Sequence, residues 1–212
     1  MSNRTAGHPL EVLIASRICH DLISPIGAIS NGVELMQAMQ TGGQSPELAL
    51  LAESAELAAA KLEFFRLAFG QAGLAGDTVC PKIGRVLRDQ FTKPRLIFDL
   101  SLSTDAVLRR DAKLLALMAL CAERALPKGG TLSLTLTDET VMADVVGPVV
   151  RTDTPPWELL RSGTEPEELT AADVQFRVLR EFATSLDLDL SLATSDSRAT
   201  LTTRPTAFVR VA

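Results

Sequence analysis

The stretch that decides the fold is Arg17-Ile18-Cys19-His20-Asp21-Leu22-Ile23-Ser24-Pro25-Ile26-Gly27-Ala28-Ile29-Ser30-Asn31. Apolar residues recur at Ile18, Leu22, Ile26, Ile29, Val33 and Met36, always three or four positions apart. That spacing predicts a helix with one face turned to a core. A second stripe runs beside it: Arg17, His20, Ser24, Gly27 and Asn31, all polar or small. The reading is one helix with a buried seam, a wet face, and a histidine near the middle of the wet face.

Local rules are broken close to that histidine. Asp21 follows it, and the Ser24 hydroxyl stands one turn on, within reach of the His20 side chain. Pro25 cannot donate a backbone hydrogen bond and crowds the carbonyl of Asp21, a cost of about 3 kcal/mol in a helix interior. Gly27 adds roughly 1 kcal/mol relative to alanine. Violations gathered around one titratable residue mark a functional site more often than an accident.

Working outward, the first helix is expected from near Leu10 to near Gln40, after a loose arm from Met1 to Pro9. A turn at Thr41-Gly42-Gly43-Gln44 leads to Ser45-Pro46, a hydroxyl N-cap followed by proline at the first helical position. The second helix runs to Phe69, and Gly70 caps it. Its seam is Leu51, Ala55, Ala58, Leu62, Phe65 and Phe69, widened by further apolar residues. Two helices alone cannot bury this surface, whereas two hairpins can, as a four-helix bundle. A homodimer is therefore expected. In the competing arrangement the second half of the chain covers the hairpin, at Phe64, Leu67 and Phe69 in particular.

Residues 71–76 read as a glycine-rich linker, which separates a helical unit, residues 1–70, from residues 77–212. The second unit alternates helical and strand patterns. Helices are expected at Val79 to Phe91, Asp111 to Leu126 and Thr170 to Leu186. Strands are expected at Arg95 to Ser101, Thr131 to Thr137, Val141 to Val146, Leu188 to Ala193, Ala199 to Arg204 and Phe208 to Val211. Pro127-Lys128-Gly129-Gly130 is a plain turn, and the whole is an α+β sandwich.

Composition narrows the function. Of 212 residues, 46% are apolar and 22% charged, enough for a packed core. A net charge of −5 argues against a nucleic-acid surface. The start MSNRTAGHPLE has no signal-peptide pattern, and the longest uninterrupted apolar run, Leu114 to Ala122, is far short of the ~20 residues that span a bilayer. Cys19, Cys80 and Cys121 are isolated and odd in number, as in a reduced cytoplasm. Cys19 and His20 point about 100° apart on a helix, so no metal site is expected.

The ten residues His20 to Ile29, HDLISPIGAI, match throughout the phospho-acceptor box of the sensor histidine kinases. The longer run CHDLISPIGAISNGVELM resembles the histidine phosphotransferases of alphaproteobacterial phosphorelays. The resemblance implies a dimeric four-helix bundle followed by a degenerate version of the kinase ATPase fold. It makes His20 the phosphoryl acceptor, with Asp21 stabilising the phosphohistidine or orienting the ring, and Arg17, Ser24 and Pro25 in support. Ile23, Gly27 and Asn31 would meet a docked receiver domain.

Three positions depart from the kinase nucleotide site. Cys121 stands where an Asn holds magnesium, and a thiol suits that hard cation poorly. Val145 stands where an Asp reads adenine, with Asp144 on the opposite strand face. Glu165 to Ala172 replaces a glycine-rich phosphate loop and contains no glycine. No nucleotide site is expected. The phosphoryl group would come from the receiver aspartate of a hybrid histidine kinase and pass to response-regulator receivers, which would bring their own Mg2+. Two rivals stand beside this reading: an ATP-using kinase with an atypical nucleotide site, and a receiver-binding regulator that never carries phosphate.

Overall fold

The computed structural model describes residues 8–39, 46–70, 77–103, 105–138 and 140–205. Helix α1 spans Leu10–Met39 and α2 spans Pro46–Phe69, an antiparallel hairpin close to the expected bounds. Gly70 N–H returns to Arg66 O at 3.1 Å and ends α2. The turn at 41–44, the cap at Ser45, the linker 71–76 and the strand at 208–211 lie outside the described residues.

The seam between α1 and α2 is not the one the large apolar residues suggest. Among the described residues of α1, the buried positions are Leu13, Pro25 and Gly32. A Cβ on Gly32 would lie 2.6 Å from a Leu51 methyl, so glycine is what lets the helices approach there. Ile26 is 54% exposed and Val33 41%. Relative to the expected stripe, the contact face is displaced by one residue, which on a helix is about 100°. Small residues set the approach, and the large ones are left to flank it. Residues Leu10–Met36 are long and apolar enough to cross a membrane by length and composition alone. Within that span Arg17 reaches a carbonyl of the α+β half, and the Asp21 carboxylate pairs with Arg17 and His20 of the same helix.

The α+β half follows: β1 Asp77–Val79, α3 Cys80–Phe91, β2 Leu96–Leu102, β3 Ala106–Leu108, α4 Arg109–Arg124, β4 Gly130–Leu136, β5 Val141–Val146, α5 Pro155–Ser162, α6 Val174–Ser185, β6 Leu188–Ser195 and β7 Arg198–Pro205. A single 3-10 turn, Ala171–Asp173, leads into α6. Five strands form one mixed sheet in the order β2-β4-β5-β7-β6, parallel only between β2 and β4. The β1–β3 ribbon and α5 were not anticipated. Each is too short to show a period, and α5 starts from Pro155-Pro156.

In-facing residues of β4, β5 and β7 (Leu132, Leu134, Ala143, Val145, Ala199 and Leu201) are buried on the face that packs against α4. Residues Ala112 to Ala122 of α4 are all buried, as its continuous apolar run predicts. Gly129 makes the turn into β4 with φ 81°, and a Cβ there would meet Arg95 O at 2.1 Å. The core extends into the hairpin through Phe64, Phe65 and Ala68. The Phe64 ring meets Phe91 edge-on with centroids 5.5 Å apart, so the α+β half does cover the base of the hairpin. Lys113 of α4 donates to Gly70 O at 2.9 Å and lies over the Phe182 ring.

Candidate functional site

Pro25 is where the local chemistry begins. The helix runs unbroken through it, yet proline gives the Asp21 carbonyl no N–H to accept. Lys61 of α2 supplies the missing donor, with Nζ 3.0 Å from Asp21 O. The proline thus draws a cation onto the turn that carries His20, and the free carbonyl is satisfied. Sequence reasoning missed Lys61, since nothing local links positions forty residues apart.

Asp21 also binds through its side chain. Arg17 Nε donates to Oδ2 at 2.9 Å, one turn back on the same helix. His20 Nδ1 lies 3.0 Å from Oδ1. Adjacent helix residues seldom face one another, but here the two side chains meet. Burial pushes the Asp21 pKa up, while the hydrogen bond from His20 and the charges of Arg17 and Lys61 outweigh it and hold the carboxyl below its ordinary value. The carboxylate is therefore ionised and can only accept. The ring nitrogen it touches is the donor, so in the neutral ring the proton sits on Nδ1 and the Nε2 lone pair is free. The His20 side chain is 84% exposed, and Nε2 is open to a partner in solution.

The remaining expected site residues separate. Ser24 is exposed one turn from His20, and Asn31 is exposed about three turns along the same helix. Ile23 is 71% exposed, a large apolar side chain in water next to the histidine. Nothing lies within 4 Å of a Cβ built on Gly27, so that part of the face is open. Arg17 turns away from the wet stripe: its side chain is largely buried, and Nη1 donates to Ala172 O at 2.8 Å in the α+β half. Pro25 faces inward. The stripe thus divides into an open patch of His20, Ile23, Ser24, Gly27 and Asn31 and an inner support of Arg17, Asp21 and Pro25.

The positions aligned with a kinase nucleotide site have other partners. Cys121 is fully buried in α4, where burial and the charge of Asp173 push its thiol well above the ordinary value. Val145 points into the core. Asp144, on the other face of β5, accepts from Arg198 Nε at 2.8 Å and Thr200 Oγ1 at 2.6 Å. Among the described residues, no group of three or more His, Cys, Asp or Glu side chains could hold a metal ion.

Residues 81–198 match the family described as Histidine phosphotransferase C-terminal domain. Brucella abortus (strain 2308) has a relative named Protein phosphotransferase ChpT. It is 37% identical over 164 residues, which span 75% of this chain and 77% of that protein. That alignment is too long to fit within residues 81–212, so it reaches back into α2 at least. A solved structure described as a bacterial phosphotransferase superposes with a TM-score of 0.76 at 30% identity, over 96% of this chain and 100% of its own.

Proposed function

The chain belongs to the histidine phosphotransferase family, and from that premise we propose that it relays phosphoryl groups through His20 between receiver-domain aspartates. One observation carries the assignment to His20. It is an exposed imidazole whose Nδ1 is fixed by an ionised carboxylate, so that the free nucleophilic nitrogen is Nε2 and faces solvent.

The chemistry follows from that geometry. The Nε2 lone pair attacks the phosphorus of an aspartyl phosphate in line. The Nε2–P bond forms as the bond to the aspartate oxygen breaks, and the electron pair leaves on the carboxylate of the donor. The proton stays on Nδ1, and Asp21 offsets the positive charge that the phosphorylated ring acquires. Passing the group on reverses these steps on a second receiver. The receivers bring the Mg2+ that neutralises the phosphoryl oxygens, so this chain's contribution is position and electrostatics.

The patch around His20 is where a receiver docks, with Ile23 as an apolar contact and Gly27 and Asn31 leaving room beside it. The hairpin pairs with a second copy across its exposed apolar face, and the protein works in the cytoplasm without nucleotide or membrane. The test is to offer the chain a phosphorylated receiver domain carrying labelled phosphate. Acid-labile label should appear on this protein and be absent from His20→Gln, which loses only an exposed side chain and should fold normally. Labelled Mg-ATP alone should give none. Label that persists in His20→Gln would remove His20 from the reaction, and label taken directly from ATP would restore the kinase reading.

A further inference from the structure

Arg17 has a position that its place on the wet stripe does not suggest. One guanidinium spans two parts of the protein: Nε reaches Asp21 Oδ2 at 2.9 Å, and Nη1 reaches Ala172 O at 2.8 Å. Ala172 lies in the 3-10 turn Ala171–Asp173, at the mouth of a cleft between α1 and the α+β half that Arg17, Arg124, Trp157 and Asp173 help to line. That turn is held from several sides. Thr170 Oγ1 donates to Asp173 Oδ2 at 2.9 Å, and Arg124 of α4 pairs with Asp173 Oδ1 at 2.9 Å. Gln175, fully buried, donates Nε2 to the same Ala172 carbonyl at 3.0 Å. Its Oε1 is a buried acceptor with no partner. A buried amide with half of its hydrogen-bonding capacity unmatched within the protein needs a reason, and pinning the Ala172 carbonyl is one.

We infer that Arg17 is a positioning residue through which the turn 171–173 of the α+β half sets the orientation of Asp21 and, through Asp21, the ring of His20. The inference rests on His20 as the phosphoryl carrier. It gives the α+β half a task at the acceptor histidine that needs no nucleotide. A planar fork is required, because two N–H groups of fixed and different direction must serve a carboxylate on one side and a carbonyl on the other. A lysine in its place is a single point charge that reaches one of them. The Ala172 carbonyl keeps Gln175 when Arg17 is lost, so the turn is not orphaned and the effect should fall on the histidine.

The variants are Arg17→Met, which keeps the stem and removes both hydrogen bonds, and Arg17→Lys, which keeps the charge. Nitrogen-15 NMR of full-length protein reads the His20 tautomer, a signature that a purely structural role for Arg17 would not move. Wild type should hold the proton on Nδ1. Arg17→Met should shift the population toward the Nε2–H form, which blocks the nucleophilic nitrogen, and Arg17→Lys should shift it less. The kcat for transfer from a phosphorylated receiver should fall on the order of 10-fold, as for partners that orient other functional histidines, with KM for the receiver little changed. An Nδ1–H tautomer and wild-type kcat in both variants would overturn the inference, as would a loss confined to KM. Should Arg17→Met fail to fold, Arg17→Lys decides by the same readouts. If wild type takes no label at all, the phosphotransfer reading fails, while the tautomer result still reports on the Arg17 bridge.

Discussion

Helices α1 and α4 are both rich in apolar residues, and they use them in opposite ways. The shorter α4 buries every residue from Ala112 to Ala122 between the sheet and its helical neighbours. In α1, Leu13, Pro25 and Gly32 are the buried positions among those described. Of the twelve exposed large hydrophobic residues among those described, nine lie on α1 and α2, among them Ile26 at 54% and Leu62 at 57%. The α+β half completes its core within one chain. The hairpin completes only its base, through Phe64 and Phe65, and leaves an apolar face along its length. Exposed large apolar residues gathered on one helical unit are the kind of surface that protein interfaces use. The same composition thus builds a core in one region and an exposed apolar face in the other.

The contrast is sharpest under substitution. Leu117→Ala opens a cavity in α4, where the side chain is fully buried, and should cost about 2–5 kcal/mol. Urea denaturation should show it as a lower midpoint at every protein concentration. Leu62→Glu tests the other region. In an isolated chain that position is mostly in water, and a glutamate there would be tolerated within about 0.5 kcal/mol. In a paired bundle it buries an unmatched charge at a cost of several kcal/mol. Light scattering should give a dimer for wild type and half that mass for Leu62→Glu. A wild-type monomer at micromolar concentration would break the comparison, because the exposed face would then have no second copy to cover it.

The two glycines of α1 divide along the same line. Gly27 faces open space, and Gly32 touches Leu51. Gly27→Leu should hold or gain stability, by up to about 1 kcal/mol from helix propensity, while phosphotransfer from a receiver falls through loss of docking room. Gly32→Leu should destabilise the hairpin, since Leu51 must move. Thermal melts and label transfer on both variants separate the roles. Wild-type transfer by Gly27→Leu would take the receiver off this face.

How legible this was in the sequence follows the length scale of each interaction. Periodicity reported helix and strand bounds well, because it is a local property: α1, α2 and β5 begin where their patterns do. The identity of the inner seam was not legible. Leu22, Ile26, Ile29 and Val33 make the stronger apolar stripe, whereas the face of α1 that touches α2 is the one carrying Pro25 and Gly32, selected by how closely two backbones approach. The expected contact of Asp21 with His20 is present. The long-range partners around it, Lys61 at forty positions from Asp21 and the Ala172 carbonyl at 155 from Arg17, carry no sequence signal. A carbonyl has no residue identity to read at all. The one local hint was Pro25, because a mid-helix proline leaves a carbonyl that some donor must satisfy.

The smallest effect expected concerns two aspartates, one in each region. Asp21 in the hairpin has its pKa lowered, because burial is outweighed by His20, Arg17 and Lys61. Asp111 at the start of α4 has its pKa raised, because burial outweighs the nearby Arg110. The signs of their contributions to stability are therefore opposite. A depressed folded-state pKa gives Asp21 a stabilising term that is present above the ordinary value of 3.8 and lost as pH falls through the lowered one. A raised folded-state pKa gives Asp111 a term present below 3.8 and lost as pH rises through the raised one. Both side chains are partly solvated, which limits each term to a few tenths of a kcal/mol, up to about 1. Asp21→Asn should be less stable than wild type near neutrality, with the gap closing in acid. Asp111→Asn should match wild type in acid and gain on it as pH rises. Chemical denaturation of both variants between acid and neutral pH measures the two differences. Curves of the same sign would mean that the ring of cations around Asp21 does not outweigh its burial, and the ionised carboxylate that fixes the His20 tautomer would lose its electrostatic support.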